Sequence, residues 1–153
     1  PPAPAVRFGP KKRSAHLDGR NRNRRGKREP QVHGTATLPD LERQVRREAR
    51  ARGFTPTFFQ SNHEGALIDE IHRLADQGVE GFIVNFGAYS HTSIALRDAL
   101  ASTALPAVEV HISDIKKREK FRRTSMTAGA CLAMISGHGF FGYRLALRRL
   151  AKV

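Results

Sequence analysis

The chain is short of cysteine, of acidic residues and of long apolar runs, and each shortage removes a class of protein. A single cysteine, Cys131, excludes an intrachain disulfide framework and a multi-cysteine zinc site. No apolar run approaches the roughly 20 residues of a membrane-spanning helix. The opening Pro1-Pro2-Ala3-Pro4 lacks the charged-then-apolar order of a signal peptide. The expectation is therefore a cytoplasmic protein with no membrane segment. No internal repeat is visible. Acids are scarce as well: 14 Asp and Glu stand against 27 Lys and Arg, which leaves a net charge of +13.

What is present suits one soluble globular domain: 153 residues, 39% of them hydrophobic and 27% charged. The positive charge is unevenly placed. Residues 1–34 carry +8 of it, through ten bases from Arg7 to Arg28 against Asp18 and Glu29. Such an arm suits nucleic acid, a membrane surface or an anionic substrate. It has no interleaved aromatics and no known RNA motif, so a solvated terminus is the favoured reading and nucleic acid is not an expected partner. Residues 1–16 read as a basic, Pro-containing tail, residues 17–36 as a loop rich in Gly, Asn and Arg, and residues 17–153 as the domain.

From Thr37 the pattern becomes regular. Thr37-Leu38-Pro39-Asp40 is a helix start, with a capping hydroxyl, a proline in the first turn and an acid at the positive helix end. Leu41, Val45 and Ala49 share one face, and Gly53 closes the helix. Strands are expected at 55–60, 81–86 and 107–112, with a further apolar run at 131–136. Helices are expected at 64–77, 93–101 and 140–152, with a short basic helix or turn at 116–121. This alternation is the signature of a parallel sheet with helices on both faces, an α/β fold. In such sheets ligands sit at the carboxyl ends of the strands, which marks the loops 60–64, 85–91 and 111–114. Cys131, in an apolar strand pattern, reads as an inert buried thiol.

At those loops the sequence resembles a known family. The blocks Gln60-Ser61-Asn62-His63-Glu64-Gly65, Asn85-Phe86-Gly87-Ala88-Tyr89-Ser90-His91-Thr92-Ser93 and Val108-Glu109-Val110-His111-Ile112-Ser113 look like the signatures of type II 3-dehydroquinate dehydratases. Gly26-Lys27-Arg28-Glu29-Pro30 resembles that family's active-site loop, and Gly142-Tyr143-Arg144-Leu145-Ala146-Leu147 its C-terminal helix. The blocks run from about Leu17 to about Leu150 in family order, which is far more specific than one short motif. The resemblance implies a flavodoxin-like fold and a homo-dodecamer built as a tetramer of trimers. It also implies reversible dehydration of 3-dehydroquinate to 3-dehydroshikimate through an enolate, with neither a metal nor an organic cofactor. Nothing in the sequence places a lysine in an apolar pocket, as the Schiff-base chemistry of the unrelated type I enzymes requires.

That reaction needs a base for the proton beside a ketone, an acid for the departing hydroxyl, and fixed donors for the charge that builds on the ketone oxygen. By resemblance His111 is the acid. Glu109, two residues earlier, lies on the same strand face and orients it. Asn85, His91, Asp98, Ile112, Ser113 and Arg122 match the family's substrate contacts. Asn21 and Arg28 match residues of the base-side loop, Arg28 as the cation that favours the ionised base. For each, the plain alternative is structural: a turn-forming asparagine, a hydrogen-bonded strand-end histidine, a solvated surface charge.

The departures from the family cluster on the base side. The family's Arg-Glu-Pro-x-x-Tyr-Gly becomes Arg28-Glu29-Pro30-Gln31-Val32-His33-Gly34, so the base position is His33. An imidazole is a usable base, but its nitrogens lie nearer the backbone than a phenol oxygen, and Arg28 depresses its basicity. A weakened enzyme and one without dehydratase activity stand level on this point. Three family leucines become Arg22, Arg24 and Arg25, and these are expected to face solvent or to be paired, because burying them unpaired is costly. Lys11-Lys12-Arg13 is a poor start for a central strand: either other residues form that strand or this half of the fold is loosened. Phe86 stands where the family has Pro, and Met126 where Tyr is usual. The leading reading is the dehydratase. Its alternatives are a non-catalytic paralogue that keeps the ligand pocket and a polyanion or nucleic-acid binder acting through the basic segment.

Overall fold

The computed structural model describes residues 12–27 and 35–153. Five strands form one all-parallel sheet in the order β2-β1-β3-β4-β5. They are β1 (Lys12–Asp18), β2 (Phe54–Gln60), β3 (Gly81–Asn85), β4 (Ala107–His111) and β5 (Ala133–Ser136). The helices are α1 (Leu38–Ala51), α2 (Glu64–Asp76), the single turn α3 (Tyr89–Thr92), α4 (Ile94–Thr103) and α5 (Phe141–Ala151). This strand order is the flavodoxin-like one, with its topological switch point between β1 and β3.

Helices cover both faces. On one, Leu67, Ile71 and Leu74 of α2 and Leu96 and Leu100 of α4 pack with Leu17, Phe82 and Val84 of the sheet. On the other, Leu41, Val45 and Ala49 of α1 and Ala146, Leu147 and Leu150 of α5 pack with Phe54, Ile83, Val108 and Val110. The helix start expected at Thr37 is a full capping box: Thr37 Oγ1 accepts from the Asp40 N–H at 3.2 Å, and the Thr37 N–H donates to Asp40 Oδ2 at 2.9 Å. No helix among the described residues is long and apolar enough to cross a membrane.

Two expectations need correction. The division between tail and domain at 16/17 falls inside β1, and the loop expected from residue 17 begins only after Asp18. Basic residues disguised this strand. Lys12 and Arg13 sit at its solvent-facing start, while Ser14, Ala15, His16, Leu17 and Asp18 are all buried, so the strand is formed around other residues and is not loosened. The short basic helix or turn expected at 116–121 is present as two 3-10 turns, Ile115–Lys117 and Lys120–Arg122. Cys131 is half-buried rather than buried, its thiol donating to the Thr127 carbonyl at 3.5 Å and pushed up to about 12 by burial.

The switch point is closed by two glycines. The Gly19 N–H donates to the Asn85 carbonyl at 2.9 Å, and a Cβ at Gly19 would stand 2.2 Å from the Phe86 carbonyl oxygen. Gly87 has φ +62°, and a Cβ there would stand 2.9 Å from the Arg20 carbonyl oxygen. Both close approaches hold the segments after β1 and β3 against each other, and the cavity described next opens above them.

Candidate active site

One cavity of about 80 Å³ opens at the carboxyl ends of β1, β3 and β4. Asn85 and His111 both line it, together with Asn21, His91, Ile112, Ser113 and Arg122. Of the residues expected from the sequence, seven therefore share one space, and Glu109 stands directly behind His111.

The β4 side is built on a buried carboxylate. Glu109 is fully buried, and its Oε2 lies 2.9 Å from His111 Nε2. Ser125 Oγ donates to the same carboxylate at 2.6 Å, and Thr127 Oγ1 donates to its other oxygen. Burial pushes the Glu109 carboxyl up, but the hydrogen bonds from His111, Ser125 and Thr127 outweigh it and leave the group below its ordinary range. Glu109 is thus held as the anion and fixes the imidazole ring. The alternation of side chains along β4 puts both on one face, as the two-residue spacing implies.

His91 lies beside His111, with ring centroids 6.1 Å apart. Its Nδ1–H donates to the Thr124 carbonyl at 2.8 Å, which fixes the tautomer of the neutral ring. Burial lowers its pKa, the Thr124 hydrogen bond opposes, and the neighbouring His111 and Arg122 lower it further. Ile112 and Ser113 follow His111 into the cavity wall. Their carbonyls are occupied by the Gly139 N–H at 3.1 Å and the Ser136 hydroxyl at 3.1 Å. Arg122 reaches the cavity from the second 3-10 turn, with Nε 3.1 Å from Glu119 Oε2.

The β3 side rests on Asn85. Its Nδ2–H donates to Tyr143 Oη at 3.1 Å, and its Oδ1 accepts the Gly87 N–H at 3.3 Å. Tyr143 Oη also accepts from Arg22 at 3.3 Å, and Arg22 Nε lies 3.0 Å from Asp18 Oδ1. Asp18, Arg22, Tyr143 and Asn85 form one buried chain of hydrogen bonds across β1, β3 and α5. Burial, with Asp18 nearby, pushes the Tyr143 hydroxyl up to about 12, so it stays protonated. Asn21 begins the turn after β1 in the left-handed region, φ 65°, its N–H held by Asn62 Oδ1 at 2.9 Å.

The structure leaves some expectations apart. Asp98 is exposed on α4 and does not line the cavity. The loop 60–64 does not line it either: Gln60 and Asn62 instead brace Gly19 and Asn21 from behind. Arg28 and His33 lie outside the described residues. Of the three arginines in leucine positions, Arg22 is buried and paired with Asp18, and Arg24 is exposed. Arg25 departs from what was expected. It is only 6% exposed, and its Nε and Nη1 have no hydrogen-bond partner among the described residues. Its guanidinium instead stacks 4.8 Å from the centre of the Phe140 ring, which covers it without neutralising it.

Sequence reasoning missed several parts of this site. Ser125 and Thr127 hold the Glu109 carboxylate and Tyr143 the Asn85 amide in place, and Arg20, Arg22, Arg25 and Arg118 line the cavity. A buried glutamate must find donors, but spacing does not say which hydroxyls come round to it. The one available signal for the arginines was Asp18, four residues before Arg22.

The family model described as Dehydroquinase class II matches residues 12–151. The chain is 52% identical over 131 residues to a 3-dehydroquinate dehydratase of Bacillus cereus strain AH820, covering 86% of this chain and 89% of that protein. Among solved structures it is similar to the type II dehydroquinase of Butyrivibrio crossotus, with a TM-score of 0.90, 37% identity and coverage of 93% of this chain and 99% of that one. The type II dehydroquinase of Propionibacterium acnes gives a TM-score of 0.88 and 38% identity over 93% of this chain and 97% of that one. The strand order, the cavity at the switch point and these likenesses agree, and the chain belongs to the class II dehydroquinase family.

Proposed function

We propose that this chain is a hydro-lyase that dehydrates 3-dehydroquinate to 3-dehydroshikimate. The reading is supported by the family match, by the relatives named for that activity and by a cavity whose side chains suit the chemistry. A base removes the proton on the carbon beside the ketone, and the electron pair moves onto the ketone oxygen to give an enolate. The enolate then collapses, the carbon–oxygen bond to the neighbouring hydroxyl breaks, and the hydroxyl takes a proton from His111 and leaves as water. The product is the conjugated enone.

The observation that carries this reading is the His111–Glu109 pair, 2.9 Å apart, with His111 facing the same cavity as Asn85. The buried carboxylate holds one ring nitrogen and so fixes how the imidazole is presented to the cavity. Asn85 and Asn21 are suited to hold the substrate and the oxygen that gains charge. His91, Ile112, Ser113 and Arg122 surround the hydroxyls and carboxylate, and Asp98 remains a candidate contact from the surface of α4. His33 stands at the base's position in the sequence, and a cation near it, the part the resemblance gives Arg28, would favour the neutral, proton-accepting imidazole. An imidazole in a phenol's place makes a slow enzyme the expectation.

The proposal extends to assembly and compartment. A homo-dodecamer, built as a tetramer of trimers, is supported by the family and by apolar side chains left exposed at Ile94, Phe121, Leu132 and Phe141; light scattering in solution tests it. A cytoplasmic location accords with the single cysteine.

The test mixes the protein with 3-dehydroquinate and follows the ultraviolet absorbance of the enone. Turnover that His33→Ala abolishes supports this reading with His33 as base. Turnover indifferent to that change removes His33 from the role. No turnover, but melting shifts with the substrate, leaves a ligand-binding paralogue.

A further inference from the structure

The cavity carries more positive charge than the proposed substrate answers. Five arginines line it: Arg20, Arg22, Arg25, Arg118 and Arg122. Among the described residues, two carboxylates lie within ion-pair distance of them. Asp18 pairs with Arg22, and Glu119 is shared by Arg118 and Arg122 at 3.6 and 3.1 Å. Arg20 and Arg25 have no such partner among those residues. A single carboxylate on the substrate would offset one charge and leave an excess.

Arg25 makes the excess specific. Its guanidinium is buried in the cavity wall, against the Phe140 ring, with Nε and Nη1 unpaired among the described residues. Leaving donors of a cation buried and unmatched costs more than a net hydrogen bond contributes. Burial, and then the adjacent Arg22 charge, lower its pKa. An oxyanion in the cavity would lie beside this buried charge and offset it, because guanidinium groups match tetrahedral oxyanions in geometry as well as charge. The family's leucines at the Arg22 and Arg25 positions offer no such donors, so this wall belongs to this chain.

The geometry points to a second anion subsite on the β1 side of the cavity, formed by Arg25 with Arg20, that takes a doubly charged oxyanion of the phosphate class. Because it opens into the space shared by Asn85 and His111, the anion competes with the substrate. The inference goes beyond the dehydratase reading and does not depend on turnover.

The experiment measures melting temperature and calorimetric binding of the full chain with inorganic phosphate, against sodium chloride at matched ionic strength. At a hundredfold excess over Kd, phosphate should raise Tm by roughly 5 °C or more. Arg25→Leu, which restores an apolar residue to that wall and should fold, should weaken phosphate binding by about tenfold or more. Arg24→Leu, one residue away but exposed, should leave it unchanged. Glycerol phosphate in place of phosphate separates the sources. Tighter binding of the ester assigns the subsite to a phosphorylated small molecule, and tighter binding of the inorganic ion assigns it to free phosphate. No phosphate effect beyond that of chloride overturns the proposal, as does an equal loss in Arg24→Leu and Arg25→Leu. Turnover of 3-dehydroquinate in phosphate-free buffer, scored separately, tests the dehydratase reading alone.

Discussion

On the β4 side of the cavity a single buried carboxylate takes donors from His111, Ser125 and Thr127, and the imidazole it holds opens onto Asn85. On the β1 side, arginines occupy positions where the family carries leucine. One of them, Arg22, is matched by Asp18 and Tyr143, while another, Arg25, is merely covered by an aromatic ring. The first side is a matched electrostatic unit that keeps the His111 imidazole oriented. The second is a substituted wall that kept the fold by pairing one charge and burying another at a cost. Acid chemistry needs the first kind of construction, because orientation and charge must both be fixed before the substrate arrives.

Breaking the pairing on the β1 side should have the largest effect. Arg22→Leu leaves Asp18 buried without its partner and should cost about 3 kcal/mol in urea denaturation. Asp18→Asn in the same chain should recover most of that loss; no recovery would mean that Arg22 acts through packing instead. On the β4 side, Glu109→Gln keeps the shape but removes the charge behind His111. It should lower kcat about a hundredfold with KM little changed, and an unchanged kcat would detach Glu109 from the chemistry.

His16 sharpens the contrast from within β1. It is buried, stacked on Phe58 with ring centroids 5.0 Å apart, and its Ser14 contact is 3.1 Å. Burial, and then the Arg46 charge, lower its pKa to about 3. The folded state therefore holds His16 neutral, while the unfolded chain takes up a proton below about pH 6.5. Its contribution is fully present above that pH and is lost as pH falls toward 3, about 2 kcal/mol by pH 5. His16→Leu should flatten this limb of the stability profile; an unaltered slope would place the acid sensitivity elsewhere. The smallest effect is expected far from the cavity. Thr37→Ala removes the α1 cap and should cost about 1 kcal/mol in stability without altering kcat.

These contrasts also explain what could be read in advance. The strands and helices from Thr37 onward announce themselves because their apolar spacing is local: Leu41, Val45 and Ala49 on one helix, and the continuous run 81–86 in a covered strand. β1 did not, because a central strand that buries Ser14, His16 and Asp18 lacks the apolar pattern by which such strands are recognised. Its burial comes from pairing with β2 and β3 on either side, which no local window contains. In the site, His111, Glu109 and Asn85 were legible from block and spacing. Ser125, Thr127 and Tyr143 were not, because their contacts span 16, 18 and 58 positions of chain. The fate of the arginines was half legible: cost arguments foresaw the Arg22 pair and the exposed Arg24, but not an aromatic lid over Arg25.

The most direct test of the central claim compares the wild-type chain with His111→Ala in phosphate-free buffer, with 3-dehydroquinate as substrate and enone absorbance as the signal. Measurable turnover in the wild type, reduced by about a hundredfold or more in the variant while substrate-induced melting shifts persist, is the predicted result. Turnover that survives the loss of His111 undiminished would contradict it.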